Sequence, residues 1–259
     1  MREYHQCRNI IVDGDEFTEG ALGLDWFPSA ASSQAKQKYE TGILDALERL
    51  RKTWAGWSVI TEIFQIQSRK MYIRPYHATA GQCNATAKPT NVAAATLKGT
   101  TALDSRGNLP APGQPRVIGT GSGSDTIINF SPETFQAGSV CATGPGATAD
   151  EILLHEMVHG LRHMGGRAVR EGVTGNPNMT NYEEFVAILV SNIFRSEKGI
   201  PNLRADHAGF NPLTGPNTNP ATFVTSFRQY ISHMSIEQPR MVQNLRTAGG
   251  VFNPLKHYP

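Results

Sequence analysis

The sequence GATADEILLHEMVHG (146–160) places His155 and His159 four residues apart, with Glu156 directly after the first histidine. On a helix, residues at this spacing share one face about 6 Å apart along the axis, so both imidazoles can bind one metal ion. Glu156 projects about 100° away from His155, beside the ion, where it can take a proton from a water molecule acidified by zinc. This H-E-x-x-H arrangement predicts a hydrolytic zinc site with His155 and His159 as ligands and Glu156 as the base.

The helix that carries this motif is predicted to begin at Thr148, because Thr148 and Glu151 form a T-x-x-E capping box. A third histidine, His163, lies one turn beyond His159. Two turns separate His163 from His155, which is too far for both to bind one ion at about 2.1 Å. We interpret His163 as a surface histidine or one that supports a ligand from behind; a His159–His163 pair stays open as an alternative.

The third ligand must come from elsewhere in the chain. In the longer pattern H-E-x-x-H-x-x-G-x-x-H, Arg162 stands where the glycine belongs and Gly165 stands where the histidine belongs. Downstream, NMTNYEEFVAILVSNIFRSEKG (178–199) predicts a helix from about residue 180 to 197 that carries two adjacent acids, Glu183 and Glu184. They project about 100° apart, so only one of them can face the ion.

Local sequence favours the second acid as the ligand. Thr180 and Glu183 match another capping box, which gives Glu183 a role at the start of the helix and leaves Glu184 for the metal. Glu183, Asp206 and His207 remain alternatives. The predicted metal site therefore consists of His155, His159 and Glu184 with Zn²⁺ as cofactor.

The motif HEMVH followed by a Glu-Glu pair resembles the zincin metallopeptidases that use glutamate as third ligand. More narrowly, residues 125–210 are similar to bacterial secretion-system effector proteases, the NleD-type injected proteases and the metallopeptidase domains fused to type VI spike proteins. In clostridial neurotoxin light chains the second glutamate of such a pair is the ligand, and in anthrax lethal factor the ligand precedes a Phe-Phe-Ala run. Both parallels imply Glu184, which precedes Phe-Val-Ala. The aspartate that many glutamate zincins use to orient a ligand histidine is missing, since Ala187 and Ile188 occupy the corresponding positions.

Peptide hydrolysis also needs a group that stabilises the negative charge of the tetrahedral intermediate. Tyr182 directly precedes the glutamate pair, and RADHAGF (204–210) offers Arg204, Asp206 and His207. We interpret Tyr182 and His207 as catalytic candidates, with an ordinary surface loop as the alternative. DTIINF (125–130) predicts either the edge strand along which an extended substrate binds or a core strand.

The coarse pattern predicts an α+β protein of zincin type, with a small twisted sheet before the metal-binding helix and a mostly helical C-terminal half. Residues 1–32 are predicted to be an N-terminal arm or linker, and residues 33–259 a single domain. Apolar spacing predicts a helix within 33–54, and RKMYIRPY (69–76) predicts a strand. Asn219 followed by Pro220 predicts the start of a C-terminal helix.

Composition excludes several classes of protein. The chain has 259 residues, of which 39% are hydrophobic and 18% charged, and its net charge of +2 gives no case for a nucleic-acid partner. No apolar run is long enough to span a membrane, and the first residues lack the apolar core of a signal peptide. Cys7, Cys83 and Cys141 favour free thiols, with a Cys83–Cys141 bridge as the alternative.

These observations predict a zinc-dependent endopeptidase, a secreted bacterial effector or toxin that cleaves proteins of a target cell. Its expected partners are a protein or peptide substrate and a secretion-system component or an immunity protein. We expect export by a route that needs no signal peptide, followed by delivery into the target cell. The alternatives are a housekeeping zinc peptidase and a non-catalytic domain with structural zinc.

Overall fold

The computed structural model describes residues 1–19, 26–29, 33–76, 83–102, 116–174, 179–207 and 209–259. These residues form a mixed sheet and seven α-helices, which confirms the predicted α+β class. The strands are β1 (Arg2–Tyr4), β2 (Cys7–Val12), β3 (Glu16–Glu19), β4 (Trp26–Ser29), β5 (Met71–Arg74), β6 (Thr86–Pro89) and β7 (Thr126–Asn129). The helices are α1 (Ser33–Arg51), α2 (Trp54–Gln65), α3 (Val92–Ala95), α4 (Ala149–Met164), α5 (Tyr182–Glu197), α6 (Pro220–Glu237) and α7 (Pro239–Leu245).

The main sheet has the strand order β1-β2-β5-β7-β6. Strands β2, β5 and β7 are parallel, and the two edge strands β1 and β6 are antiparallel to their neighbours. Of the two interpretations of DTIINF, the edge strand is therefore wrong, because β7 lies between β5 and β6. Strands β3 and β4 pair separately as a two-stranded antiparallel sheet.

The N-terminal segment contributes directly to this sheet. Ile10 and Val12 of β2 are fully buried, and β2 pairs with β5 through Ile10 opposite Met71. Strands β1 and β2 are thus part of the main sheet, although the sequence suggested an arm or linker there. The reason is nonlocal: β2 is six residues long and finds its parallel partner about 60 residues later.

The helix predicted within 33–54 is α1, and a second helix that was not predicted from the sequence, α2, follows it directly. Helix α1 ends at Arg51, and α2 begins at Trp54 with Thr53 as its N-cap, whose side chain accepts a hydrogen bond from the Gly56 amide. Helix α2 packs against β2, α4, α5 and α7. Because much of its sequence is apolar, helical periodicity alone does not show it clearly.

Helix α4 packs on the sheet through Gly160. A Cβ atom at this position would lie 2.7 Å from the Met71 side chain and 3.1 Å from that of Thr126. The missing side chain therefore lets α4 approach β5 and β7 closely. On the other side α4 packs against α5, whose residues from Tyr182 to Ser196 are all buried.

A disulfide joins Cys83 to Cys141 across 58 residues, while Cys7 is a buried free thiol. The free-thiol interpretation is therefore wrong for Cys83 and Cys141 and holds for Cys7. The bridge ties the segment before edge strand β6 to the segment before α4. Within the described part of the chain, no helix combines the length and apolar character that crossing a membrane requires.

Candidate metal centre

Helix α4 presents His155 and His159 on one buried face, as its register predicts. The helix begins after Thr148, whose amide donates a hydrogen bond to Glu151 Oε2 at 3.1 Å, in the predicted capping box. The two Nε2 atoms lie 3.1 Å apart and the ring centroids 4.7 Å apart. Two imidazole nitrogens are thus directed to the same point.

Helix α5 adds the carboxylate of Glu184 to this pair. Glu184 Oε2 lies 3.2 Å from His155 Nε2, and Oε1 lies 3.4 Å from His159 Nε2. One ligand atom from each of the three residues can be chosen so that all lie within 4.8 Å of one another, and all three residues are buried. Two imidazoles and a carboxylate form a donor set that suits a divalent transition metal, so the group could hold such an ion.

The neighbouring acid, Glu183, faces away from this group. Arg162 donates from Nε to both Glu183 oxygens at 3.0 and 2.8 Å, and the Val169 amide donates to Oε1 at 2.7 Å. The same guanidinium reaches Glu237 Oε2 at 2.9 Å and the Arg167 carbonyl at 2.7 Å. Arg162, which the sequence showed only as a departure from a longer motif, is fully buried and joins α4 to α5.

The capping box predicted for α5 is wrong in its residues. The N-cap is Asn181, whose side chain accepts a hydrogen bond from the Glu184 amide at 3.1 Å, and Thr180 has a φ of +48°. Glu183 therefore does not cap the helix, and its carboxylate is used by Arg162 instead. The local sequence does not show whether Thr180 or Asn181 is the N-cap, because Arg162, which binds Glu183, lies on another helix.

Burial and charge set the protonation of the three residues. Burial lowers the pKa of His155 to about 3, so this ring is neutral near pH 7. Burial also disfavours a charged His159, but Glu184, Glu156 and Glu183 outweigh it and raise the pKa of His159. For Glu184, the histidines His159, His155 and His207 overcome the effect of burial and hold the carboxyl pKa well below its usual range.

Glu156 lies beside the group without joining it. Burial raises the pKa of this carboxyl, partly opposed by His159, His207 and Arg204. Among the described residues, none donates a hydrogen bond to the Glu156 carboxylate. A buried carboxylate without a partner is suited to accept and return a proton.

The two further catalytic candidates lie in different places. His207 is at the centre: its Nδ1 atom is 2.6 Å from Glu184 Oε2, and its side chain is 46% exposed. Tyr182 is buried elsewhere, with its hydroxyl 3.3 Å from Glu237 Oε2 and its ring under the Arg162 guanidinium. These contacts place Tyr182 on the other side of α5, behind the centre.

His163 is also separate from the group. It is buried rather than at the surface, and its Nδ1 atom lies 3.3 Å from Thr126 Oγ1 in β7. His155 Nδ1 has no hydrogen-bond partner in the part of the chain that the structure describes. This agrees with the absence of an orienting aspartate at Ala187 and Ile188, both fully buried.

Comparison with curated proteins gives no match. The sequence model of the Peptidase_M91 family, which is described as an effector protein, matches residues 28–211. This range includes β5, β6, β7, α4, α5 and His207, and therefore every residue of the centre described above. The chain belongs to the Peptidase_M91 family of effector proteins.

Proposed function

We propose that this protein is a zinc-dependent endopeptidase of zincin type, an effector that is delivered into a target cell and cleaves proteins there. The observation that carries the proposal is the convergence of His155, His159 and Glu184 beside the unpaired carboxylate of Glu156. A protein or peptide is the proposed substrate. A secretion-system component or an immunity protein is the proposed partner.

In this proposal His155, His159 and Glu184 hold the ion. When bound, zinc would polarise the scissile carbonyl and acidify the attacking water. Glu156 accepts the proton of that water and returns it to the leaving amine, which its raised pKa supports. His207, half exposed beside Glu184, contacts the substrate on the open side of the centre.

An extended substrate would bind along β6 in this proposal. Strand β6 packs beside α4, and its only strand partner among the described residues is β7. Strand β6 is thus the last strand of the main sheet, and an edge strand is the element that binds an extended peptide through main-chain hydrogen bonds. This edge replaces β7, which the sequence suggested for the same role.

A structural zinc site is the competing proposal. Structural sites are closed by protein ligands and have no use for a free carboxylate beside the ion. Glu156 therefore favours catalysis, and the effector family favours a delivered enzyme over a housekeeping peptidase.

The test compares the wild-type protein with Glu156→Gln and a control, Glu3→Gln, at an exposed position on β1. Zinc content is measured by elemental analysis, and cleavage is measured on casein and a peptide library. We expect one zinc per chain in all three proteins and loss of cleavage by at least about 100-fold only in Glu156→Gln. Zinc retention without cleavage by the wild-type protein would support the structural alternative.

A further inference from the structure

Residues 203–205 pair with residues 211–213. The Leu213 amide donates to the Leu203 carbonyl at 2.7 Å, and the Ala205 amide donates to the Asn211 carbonyl at 2.8 Å. His207 lies between these two segments in the sequence and against Glu184 in the structure. A side chain outside helices and strands needs supporting contacts if it is to hold a fixed position in a centre.

Arg204 supplies such contacts from the first of the paired segments. Its Nε atom donates to the Asp206 carbonyl at 2.6 Å, and its Nη2 atom donates to the His207 carbonyl. The Arg204 main chain is itself fixed to α5, because the Asn192 side chain accepts from its amide at 2.7 Å and donates to its carbonyl at 2.8 Å. Arg204 therefore links α5, which carries Glu184, to the main chain of Asp206 and His207: its own main chain binds α5, and its guanidinium binds the two carbonyls.

The surroundings of Arg204 are shaped for this side chain. The Phe210 ring lies over the guanidinium, with 4.3 Å between the ring centroid and Cζ. Gly146 lies against its stem, where a Cβ atom would come within 2.7 Å of Arg204 Cδ. Gly146 also has a φ of +86°, a conformation that favours glycine.

Stability alone gives a weak reason for this arrangement. Arg204 is 2% exposed, and within the described residues no carboxylate lies at ion-pair distance from it. Its Nη1 atom is buried without a hydrogen-bond partner. A buried guanidinium that serves main-chain carbonyls carries a desolvation cost that an apolar side chain of similar volume would avoid.

The contact between His207 and Glu184 fixes the hydrogen on the ring. A carboxylate only accepts hydrogen bonds, so Nδ1 of His207 is the donor in this 2.6 Å contact. The other ring nitrogen, Nε2, has no hydrogen-bond partner among the described residues. Nε2 on a half-exposed ring can accept a hydrogen bond from a substrate amide.

We propose that Arg204 is the positioning residue for His207: by holding the carbonyls of residues 206 and 207, it keeps the His207 ring against Glu184 and in contact with bound peptide. The substrate contact rests on the proposed peptidase function. The positioning itself does not depend on catalysis and can be tested separately.

The first measurement is NMR of the ¹⁵N-histidine-labelled, metal-free protein, with the His207 signals assigned by their loss in His207→Gln. We expect a single Nδ1–H tautomer for His207 in the wild type and averaged tautomers in Arg204→Lys, because one ammonium group cannot hold both carbonyls. Gly146→Ala, which displaces Arg204 without changing it, should have the same effect. Arg228→Lys, at an exposed position on α6, should leave the signals unchanged.

The second measurement is cleavage kinetics with a peptide that the wild-type protein cleaves. Arg204→Lys and His207→Gln should each lower kcat/KM by about 10- to 100-fold, and the double variant should lose no more than the larger single loss. A lower melting temperature in Arg204→Lys with unchanged His207 signals would make Arg204 a purely structural residue and overturn the inference. If the wild-type protein cleaves no peptide, the proposed function fails, while the NMR result still decides the positioning role.

Discussion

Between Glu183 and Glu184 helix α5 turns by about 100°, which sends two chemically identical side chains to different partners. Glu184 meets two histidine Nε2 atoms within 3.4 Å, and Glu183 meets Arg162 within 3.0 Å. The first set of atoms suits a metal ion. The second set, Glu183 and Arg162, is already a complete buried ion pair.

Replacing each glutamate by alanine should therefore have opposite effects. Glu184→Ala should weaken zinc binding by more than about 100-fold, because one of three protein ligands is lost. Glu183→Ala should keep the metal and lower the free energy of unfolding by about 3 kcal/mol, since Arg162 loses a buried partner. If Glu183 only capped helix α5, as the sequence predicted, the loss would be about 1 kcal/mol.

Zinc affinity is measured by chelator competition, and stability by urea unfolding in the presence of a chelator. Loss of zinc from Glu183→Ala at unchanged stability would contradict both assignments.

Burial of His163 predicts that acid destabilises the protein. Burial lowers the pKa of His163 to about 3 from an ordinary value near 6.5, so below pH 6.5 the unfolded chain binds a proton that the folded chain does not. The contribution is present above pH 6.5 and is lost as the pH falls towards 3, by about 1.4 kcal/mol per pH unit.

Urea unfolding of the metal-free protein at pH 7.5 and 5.0 checks this expectation. His163→Gln should reduce the loss of stability between the two pH values by about 2 kcal/mol. His257→Gln, at an exposed position, is the control and should not reduce it. An equal loss in His163→Gln and wild type would mean that His163 is not the titrating group.

At the scale of elements, the disulfide constrains the segment that contains edge strand β6. Cys83 and Cys141 are separated by 58 residues, and closing a loop of this length restricts the unfolded chain. The double variant Cys83→Ser/Cys141→Ser should lose about 4 kcal/mol of unfolding free energy.

Dithiothreitol provides the matched comparison for this prediction. It should lower the urea midpoint of the wild-type protein and leave that of the double variant unchanged. Equal responses of the two proteins would show that the bridge does not contribute to stability.

Elements with local signals could be predicted from the sequence, and those with distant partners could not. Helix α4 has a capping box and α6 has an Asn-Pro start, and both appear where expected. Strand β2 could not be predicted because it forms by pairing with β5, which lies far away in the sequence. The capping box at the start of α5 was assigned wrongly because Glu183 binds Arg162 of another helix. The same limit applies to Arg204, whose carbonyl contacts depend on the pairing of residues 203–205 with residues 211–213.

At the scale of the whole molecule, the candidate centre lies between helices α4 and α5, which two ion pairs join. Near one end of α4 Arg162 pairs with Glu183 at the start of α5, and near the other end Glu151 pairs with Arg195 in the last turn of α5. The three candidate ligands lie between these ion pairs, in contact with one another. The two ion pairs therefore fix the parts of α4 and α5 that carry the three candidate ligands.

A centre that exists only in the folded state links metal binding to global stability. Zinc should stabilise the protein by about 2.7 kcal/mol at a free concentration 100 times its Kd, which raises the Tm of a protein of this size by about 5–10 °C. Glu156→Gln should keep the whole shift, because Glu156 lies beside the ligands and is not one of them. Glu184→Ala should lose the zinc-dependent rise in Tm. Its Tm in chelator should remain measurable, which shows that the variant is folded. Thermal unfolding with buffered zinc and with chelator separates these cases, and a full zinc shift in Glu184→Ala would remove Glu184 from the metal site.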